Sequence, residues 1–315
     1  MIDVQALTKS YGPNKAIDNL NFTVKQGEVV GFLGPNGAGK STTMKIITGY
    51  MAPTSGSAKV AGFDVFENPI EVKKRVGYLP ETPPVYLDMF VDDFLRYVAE
   101  LKGVPRSRQR DAVDRALTKT NLKDVRRRLI QNLSKGFRQR VGIAQALVAD
   151  PEVLILDEPT VGLDPKQVAE IRELIQELRG QHTIILSTHI LPEVQAVCER
   201  IIIINKGQIV AQDTLENLAT LRGGGRKIHL RIKRPNEKTA NLLKSISGIQ
   251  NVHAGATPQD WVLNAQESEE VIERVAQEIM SQGLGLLEIS SAKADLEDVF
   301  MRLTYGASAA EVQNG

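Results

Sequence analysis

Short continuous apolar runs alternate with helix-like segments along the first two thirds of the chain. Runs of strand length occur at Glu28–Leu33 (EVVGFL), 153–156 (VLIL) and 201–204 (IIII). Runs that are apolar without alternation are typical of strands buried on both faces. The segments at 133–150 and 165–179 instead show the spacing of helices with a buried face. This alternation predicts an α/β fold with a mainly parallel sheet covered by helices on both sides.

Shorter elements complete this first part of the chain. The proline cluster at 80–84 ends the regular pattern, and apolar residues at helical spacing within a charged stretch from 88 to 131 predict an inserted helical lobe, spanning about 82–135. A hairpin is expected around Lys206-Gly207. The remaining predictions are strands at 2–8, 20–25, 57–61, 76–79, 201–205 and 208–212, a turn-rich loop at 10–18 and a helix at 68–74.

A second domain is predicted after a glycine linker. Gly223-Gly224-Gly225 separates the first domain, 1–222, from a region whose pattern reads β-α-β-β-α-β plus a last helix. That order predicts a small α+β, ferredoxin-like domain at 226–305. The tail at 306–315 is expected to be loose.

Composition limits the classes of function. The 315 residues are 42% hydrophobic, which is ample for packed cores, and 39 basic against 38 acidic residues leave a net charge of +1. This balance argues against the broad positive field of a nucleic-acid-binding protein. The single cysteine, Cys198, excludes an internal disulfide and suits a reducing compartment. The chain shows no signal-peptide core and no apolar run near the ~18 residues that span a bilayer, so a cytoplasmic location is expected.

The segment GPNGAGKST, Gly34–Thr42, matches the phosphate-binding loop G-x-x-x-x-G-K-[ST] and lies between a predicted strand and a predicted helix. Its glycines allow a tight turn that points backbone N–H groups at phosphate oxygens, and the helix N-terminus adds partial positive charge. Lys40 is expected to bridge the β- and γ-phosphates, and Ser41 to bind Mg²⁺. The nucleotide-binding residues predicted here are Gly34, Pro35, Asn36, Gly37, Ala38, Gly39, Lys40, Ser41 and Thr42.

Two adjacent carboxylates follow the apolar run at 153–156. Asp157 ends the predicted strand, where it is expected to hold Mg²⁺ through water, and Glu158 is one residue further on. We expect Glu158 to act as general base toward the water that attacks the γ-phosphate. The alternative is a buried strand that ends in two charges without a catalytic role. The nearby phosphate-binding loop with Lys40 makes that alternative less favoured.

Together these residues resemble the ATP-binding subunit of an ABC transporter, over residues 1 to about 220 and with the motifs in the family's order. Tyr11 is similar to the aromatic residue that stacks on adenine. Leu133–Gln139 resembles the ABC signature, Val161–Asp164 the D-loop, and Ser187-Thr188-His189 the loop whose histidine contacts the γ-phosphate. The resemblance implies ATP and Mg²⁺ as cofactors. The site residues it adds are Tyr11, Ser134, Gly136, Asp164 and His189, with Glu81 as a further metal contact.

The resemblance implies a dimer, because in this family the signature faces the nucleotide of the other subunit. Two subunits, expected to be identical, would close around two ATP molecules and drive a separate transmembrane permease, which holds them to the inner face of the membrane. Two positions depart from the family pattern: Phe137 replaces the second glycine of the signature, and Glu81 stands where a glutamine is usual. These features and the ending Asp295–Phe300 resemble the exporter branch that includes antibiotic-resistance, nodulation-factor and gliding-motility ATPases. The signature region is especially similar to that of gliding-motility subunits.

Two other functions stay open at the level of sequence. A soluble ABC ATPase acting on a non-transport partner such as nucleic acid or ribosomes usually carries two ATPase units or a long coiled coil, and the charge here is near neutral. A regulatory module that hydrolyses little ATP would retain the same motifs. For the C-terminal domain, dimer reinforcement and regulation are both compatible with the sequence.

Overall fold

The computed structural model describes residues 1–220, 226–255, 257–265, 269–292 and 296–305. The chain divides into two compact units, Met1–Asp213 and Thr214–Gly315. None of the helices in the described ranges is both long and apolar enough to cross a membrane. The glycine linker at 223–225, the tail at 306–315 and Asp295 lie outside the described residues.

A six-stranded sheet forms the centre of the first unit. Its strands lie in the order β10-β9-β3-β8-β7-β6, and β9, β3, β8, β7 and β6 run parallel. Every residue of β3, β7 and β8, three of the four inner strands, is buried, as expected for strands covered on both faces. The strands are β3 (Val29–Leu33), β6 (Val76–Leu79), β7 (Val153–Asp157), β8 (Thr183–Thr188), β9 (Arg200–Asn205) and β10 (Gln208–Thr214).

A second, antiparallel sheet in this unit differs from the prediction. Its strand order is β2-β1-β4-β5, and the expected loop at 10–18 belongs mostly to strands that turn at Gly12-Pro13. The predicted strands at 2–8, 20–25 and 57–61 overlap β1, β2 and β4. Irregular pairing hid their full length, because the β1–β2 register shifts three times and Ala6 has a φ of 47°. The strands are β1 (Ile2–Tyr11), β2 (Asn14–Val24), β4 (Ser55–Val60) and β5 (Phe63–Asp64).

The helices of the first unit include the inserted lobe. Buried side chains of α3, α4 and α5 form a hydrophobic cluster with the connecting segments, among them Phe94, Leu117 and Ile130. Two short 3₁₀ turns, Lys123–Val125 and Ile130–Asn132, connect α4 to α5. The helices are α1 (Lys40–Ile47), α2 (Pro69–Arg75), α3 (Val91–Leu101), α4 (Arg106–Lys119), α5 (Lys135–Leu147), α6 (Pro165–Leu178) and α7 (Leu191–Val197).

The second unit is an α+β sandwich of ferredoxin-like order. Its four strands are antiparallel in the order β12-β13-β11-β14, and two helices pack on one face through a cluster that includes Ile228, Leu263 and Val275. The elements are α8 (Leu215–Thr220), β11 (Arg226–Ile232), α9 (Thr239–Ser245), β12 (Ile249–Ala254), β13 (Asp260–Ala265), α10 (Glu269–Ser281), β14 (Leu286–Ala292) and α11 (Leu296–Tyr305). Helix α8 contacts α11 within this unit, which begins at Thr214, whereas the sequence pattern places the end of the first domain at 222.

Candidate functional site

The predicted phosphate-binding loop connects β3 to α1 at the carboxyl edge of the six-stranded sheet. Gly37 has a φ of 79° and Gly39 a φ of 107°, values that L side chains rarely adopt. A Cβ on Gly39 would lie 2.6 Å from the carbonyl oxygen of Ala16, so glycine is required there for space as well. The first bond of α1 runs from the Thr43 N–H to the Gly39 carbonyl, which leaves the N–H groups of Lys40–Thr42 pointing out of the helix. The loop is therefore shaped to receive an anion.

Neighbouring strands fix the position of this loop. The Gly34 N–H donates to the carbonyl of Thr188 over 3.3 Å, and the Gly207 N–H donates to the carbonyl of Ala38 over 2.9 Å. Gly207 belongs to the predicted two-residue hairpin turn, in which Lys206 and Gly207 both have positive φ. The hairpin thus supports the loop, a role that the sequence pattern did not reveal.

Lys40 reaches across the loop. Its ammonium donates to the carbonyl oxygens of Gly34 over 2.7 Å and Pro35 over 3.3 Å, and it lies 3.3 Å from Oε1 of Glu158. Both side chains of this ion pair are buried. The structure therefore brings together the cation of the phosphate loop and the second carboxylate of the 157–158 pair.

Asp157 lies at the end of β7, directly across from Ser187 of β8. The Ser187 hydroxyl donates to Oδ1 of Asp157 over 2.7 Å. Burial raises the pKa of Asp157, while hydrogen bonds from Ser187 and Ser41 oppose that shift. A buried carboxylate beside the Ser41 hydroxyl offers the hard oxygen donors that Mg²⁺ prefers.

Glu158 and His189 form the centre of the candidate site. Glu158 has a φ of 50°, a strained value for a non-glycine residue that costs about 1–3 kcal/mol and is common at functional sites. Its backbone N–H donates to the Ser187 carbonyl over 2.8 Å. Nδ1 of His189 lies 3.0 Å from both carboxylate oxygens. The carboxylate thus lies between the Lys40 ammonium and the half-exposed imidazole of His189, where it can accept a proton.

The signature residues contact the D-loop side of α6. Ser134 is the N-cap of α5 and accepts from the Phe137 N–H over 3.3 Å, whereas Gly136 lies inside the first turn of the helix and not before it. A Cβ on Gly136 would lie 2.3 Å from the side-chain oxygen of Gln167, and the ammonium of Lys135 fills the space beside Gly162. Phe137 has helical conformation there, which explains why this position does not require glycine.

Three other predicted site residues have separate surroundings. The Asp164 carboxylate caps α6 by accepting from the Gln167 N–H over 2.9 Å. Tyr11 ends β1 with its side chain exposed, and its hydroxyl contacts Sδ of Met51. Glu81 is exposed two residues after β6, which ends beside β7. Within the described ranges, no group of three or more histidine, cysteine, aspartate or glutamate side chains is arranged to hold a metal ion.

Sequence reasoning assigned no role to several residues that shape this site. Ser187 donates a hydrogen bond to Asp157. The sequence feature that could have indicated this role is the position of Ser187 near the end of the predicted strand before His189. Glu193 contacts threonines in both segments that carry Glu158 and His189. A glutamate in the first turn of a helix is ordinary, so nothing in the sequence pattern singled it out.

Comparisons with known proteins agree with the geometry. A family model described as ABC transporter matches residues 17–161. The bacitracin transport ATP-binding protein BcrA of Bacillus licheniformis is 33% identical over 310 residues, which are 98% of each chain. The linearmycin resistance ATP-binding protein LnrL of Bacillus subtilis is 29% identical over 305 residues, covering 96% of this chain and 98% of LnrL.

A solved structure extends the similarity to three dimensions. The bacterial ABC transporter cassette MJ0796, determined as a dimer, superposes with a TM-score of 0.63 at 25% identity, covering 68% of this chain and 99% of the cassette. The phosphate-loop α/β fold predicted from the motifs is confirmed, together with the resemblance that the motifs indicated. The chain belongs to the ABC transporter family, as an ATP-binding and ATP-hydrolysing subunit.

Proposed function

We propose that this chain is the ATPase of an exporter, that two identical copies close around two molecules of ATP, and that their opening and closing drives a separate transmembrane permease at the inner face of the cell membrane. The observation that carries this proposal is the contact between Lys40, Glu158 and His189 beside the phosphate loop. These side chains can bind the terminal phosphates, accept a proton from water and sense the γ-phosphate.

The distances among Lys40, Glu158 and His189 support a role for each in binding or hydrolysis. The Lys40 ammonium, already seated on the loop carbonyls, binds the β- and γ-phosphates, and Glu158 takes the proton of the attacking water. His189 orients that carboxylate and contacts the γ-phosphate. Tyr11 stacks on the adenine ring. Ser41 and Asp157 would hold Mg²⁺, with Glu81 as a further contact, and the bound ion would neutralise phosphate charge.

The dimer is supported by the arrangement of the signature. Lys135 contacts Gly162 of the D-loop, and Gly136 contacts Gln167 at the start of α6. The signature and the D-loop therefore form one surface. Ser134 lies exposed at the N-terminus of α5, a 13-residue helix whose first N–H groups can bind the γ-phosphate held by a second subunit. The similar cassette solved as a dimer favours the same association.

The helical lobe is the proposed contact for the permease. It exposes Tyr86, Phe90, Tyr97 and Leu101, and exposed apolar side chains that cluster are typical of protein interaction sites. The rings of Tyr86 and Tyr97 pack edge to face with centroids 5.9 Å apart. Such rigid aromatic clusters are frequent anchors in protein interfaces.

Purified protein tests the ATPase and the dimer. We expect Mg²⁺-dependent ATP hydrolysis by the native chain, loss of nucleotide binding in Lys40→Ala, and an ATP-dependent dimer that accumulates in Glu158→Gln, measured by size-exclusion chromatography with light scattering. A Glu158→Gln protein that hydrolyses ATP at the native rate would refute the assignment of the base. A protein that stays monomeric with ATP would refute the closed dimer.

The names of the bacitracin and linearmycin relatives favour an antibiotic as the exported compound. A susceptible host that expresses the chain with its permease should tolerate higher antibiotic concentrations. The matched control expresses Glu158→Gln with the same permease. Equal susceptibility of the two strains to every antibiotic tested would count against an antibiotic cargo.

A further inference from the structure

The segments that carry Glu158 and His189 leave the sheet at the same place. Strands β7 and β8 pair as far as Asp157 and Ser187, and the Glu158 N–H still donates to the Ser187 carbonyl over 2.8 Å. Beyond this point the β7–β8 ladder ends, yet His189 contacts both oxygens of Glu158. Strand β8 pairs with β3 as far as Thr188, but the β7–β8 pairing no longer sets the spacing of the two segments.

A buried carboxylate bridges them. Glu193, in the first turn of α7, is 3% exposed. The hydroxyl of Thr160, two residues after Glu158, donates to its Oε1. The hydroxyl of Thr188, one residue before His189, donates to its Oε2 over 2.9 Å and accepts from the Ile190 N–H over 3.1 Å.

Packing alone does not explain a carboxylate at this position. In the described part of the chain, no basic side chain lies within ion-pairing distance, 4.0 Å, of Glu193. Burying a carboxyl group without a cation is expensive, and an apolar residue would fill the same space at less cost. The helix already packs through Leu191, Val194 and Val197, which are buried. What Glu193 adds is a hydrogen bond to each of two segments.

We propose that Glu193 is a positioning residue that continues the β7–β8 pairing past the edge of the sheet and thereby sets the distance between Glu158 and His189. The inference rests on the proposed roles of those two residues in hydrolysis. Since Glu193 acts through them, its loss slows the chemical step and leaves the phosphate loop able to bind nucleotide.

Glu193→Gln tests the bridge because it keeps the shape but puts an amide donor where one hydroxyl now donates. We expect kcat to fall about tenfold while the Kd for ATP stays within about twofold, the pattern of a group that acts only in the transition state. Thr160→Val removes one hydroxyl at constant size and should lower kcat similarly, whereas Thr160→Ser should keep it. Native kcat in both Glu193→Gln and Thr160→Val, or equal losses in the serine and valine variants, would overturn the bridge.

A double-mutant cycle separates positioning from general destabilisation. In a His189→Ala background, Glu193→Gln should lower kcat by less than about twofold, since the contact that it positions is already gone. Additive losses would overturn the inference. Glu158→Gln serves as the reference: if it hydrolyses ATP at the native rate, the proposed base fails, and if it is inactive while Glu193→Gln is unaffected, only the bridge fails.

Discussion

Lys40 cannot bind a phosphate as freely as its position suggests, because Glu158 already holds its ammonium. The pair is 3.3 Å apart and buried, and a phosphate oxygen that binds the same ammonium competes with the carboxylate. Glu158→Gln removes this competitor. The Lys40 ammonium keeps the carbonyls of Gly34 and Pro35 as partners, so the substitution does not leave a bare buried charge.

The size of the effect follows from the geometry. Two unit charges 3.3 Å apart interact by about 5 kcal/mol at an effective dielectric constant of about 20. Desolvation and the two remaining carbonyl acceptors offset most of this, which leaves a net pair energy of about 1–2 kcal/mol. Nucleotide binding that no longer has to break the pair should strengthen by about 5- to 30-fold.

Fluorescence titration with labelled ADP measures this affinity. ADP offers a β-phosphate to Lys40 but is not hydrolysed and lacks the γ-phosphate on which the proposed dimer closure depends. Before nucleotide is added, Glu158→Gln should also melt about 2–8 °C below the native chain, since a pair worth about 1–2 kcal/mol is missing.

Glu152→Gln is the matched control, because it makes the same chemical change at an exposed residue just before the same strand, where the side chain pairs with Arg75. Its affinity for ADP should stay within about twofold of the native value, as expected for a surface ion pair. An unchanged or weaker affinity for ADP in Glu158→Gln would show that the carboxylate does not compete for Lys40.

Three further outcomes are expected. Gly136→Ala, whose methyl group would lie 2.3 Å from the Gln167 oxygen, should weaken ATP-driven dimer formation about tenfold and recover with Gln167→Ala; a persistent defect would place the obstruction elsewhere. Burial raises the pKa of Asp157 above its ordinary 3.8, so the native chain loses stability as the pH rises from 3.8 through the raised pKa. Asp157→Asn should therefore melt at a higher temperature than the native chain at pH 7. A lower melting temperature would contradict this expectation. His189→Ala should hydrolyse ATP about 100-fold more slowly with unchanged ADP affinity, and undiminished hydrolysis would remove its role.

Local patterns predicted the local structure of the central sheet well. The run at 76–79 matches β6, the run at 153–156 lies in β7, and the turn at Lys206-Gly207 connects β9 to β10. The strands are short apolar runs that are buried in the sheet, so hydrophobicity defines them. The hairpin is defined by the residues of its turn. The strands and helices of the second domain were likewise predicted in the right order, because each shows the hydrophobic periodicity of its own type.

The antiparallel sheet could not be predicted in the same way. Strand β1 runs to Tyr11, through a stretch that reads as a turn, and its partners on the two sides are β2 and β4. Which strands pair depends on contacts distant along the chain, and irregular register removes the alternation that would mark them.

Sequence motifs predicted the parts of the ATPase site: a glycine-rich loop suited to bind an anion, a lysine and a serine at fixed places in that loop, and a buried strand that ends in two carboxylates. Those features are set by residues adjacent in the chain. The folded structure adds the direct contacts among Lys40, Glu158 and His189, the strained conformation of Glu158, and the hydrogen bonds through which Glu193 connects the segments around it. Such contacts depend on how strands and helices distant in sequence pack together, and hydrophobic periodicity does not encode that packing.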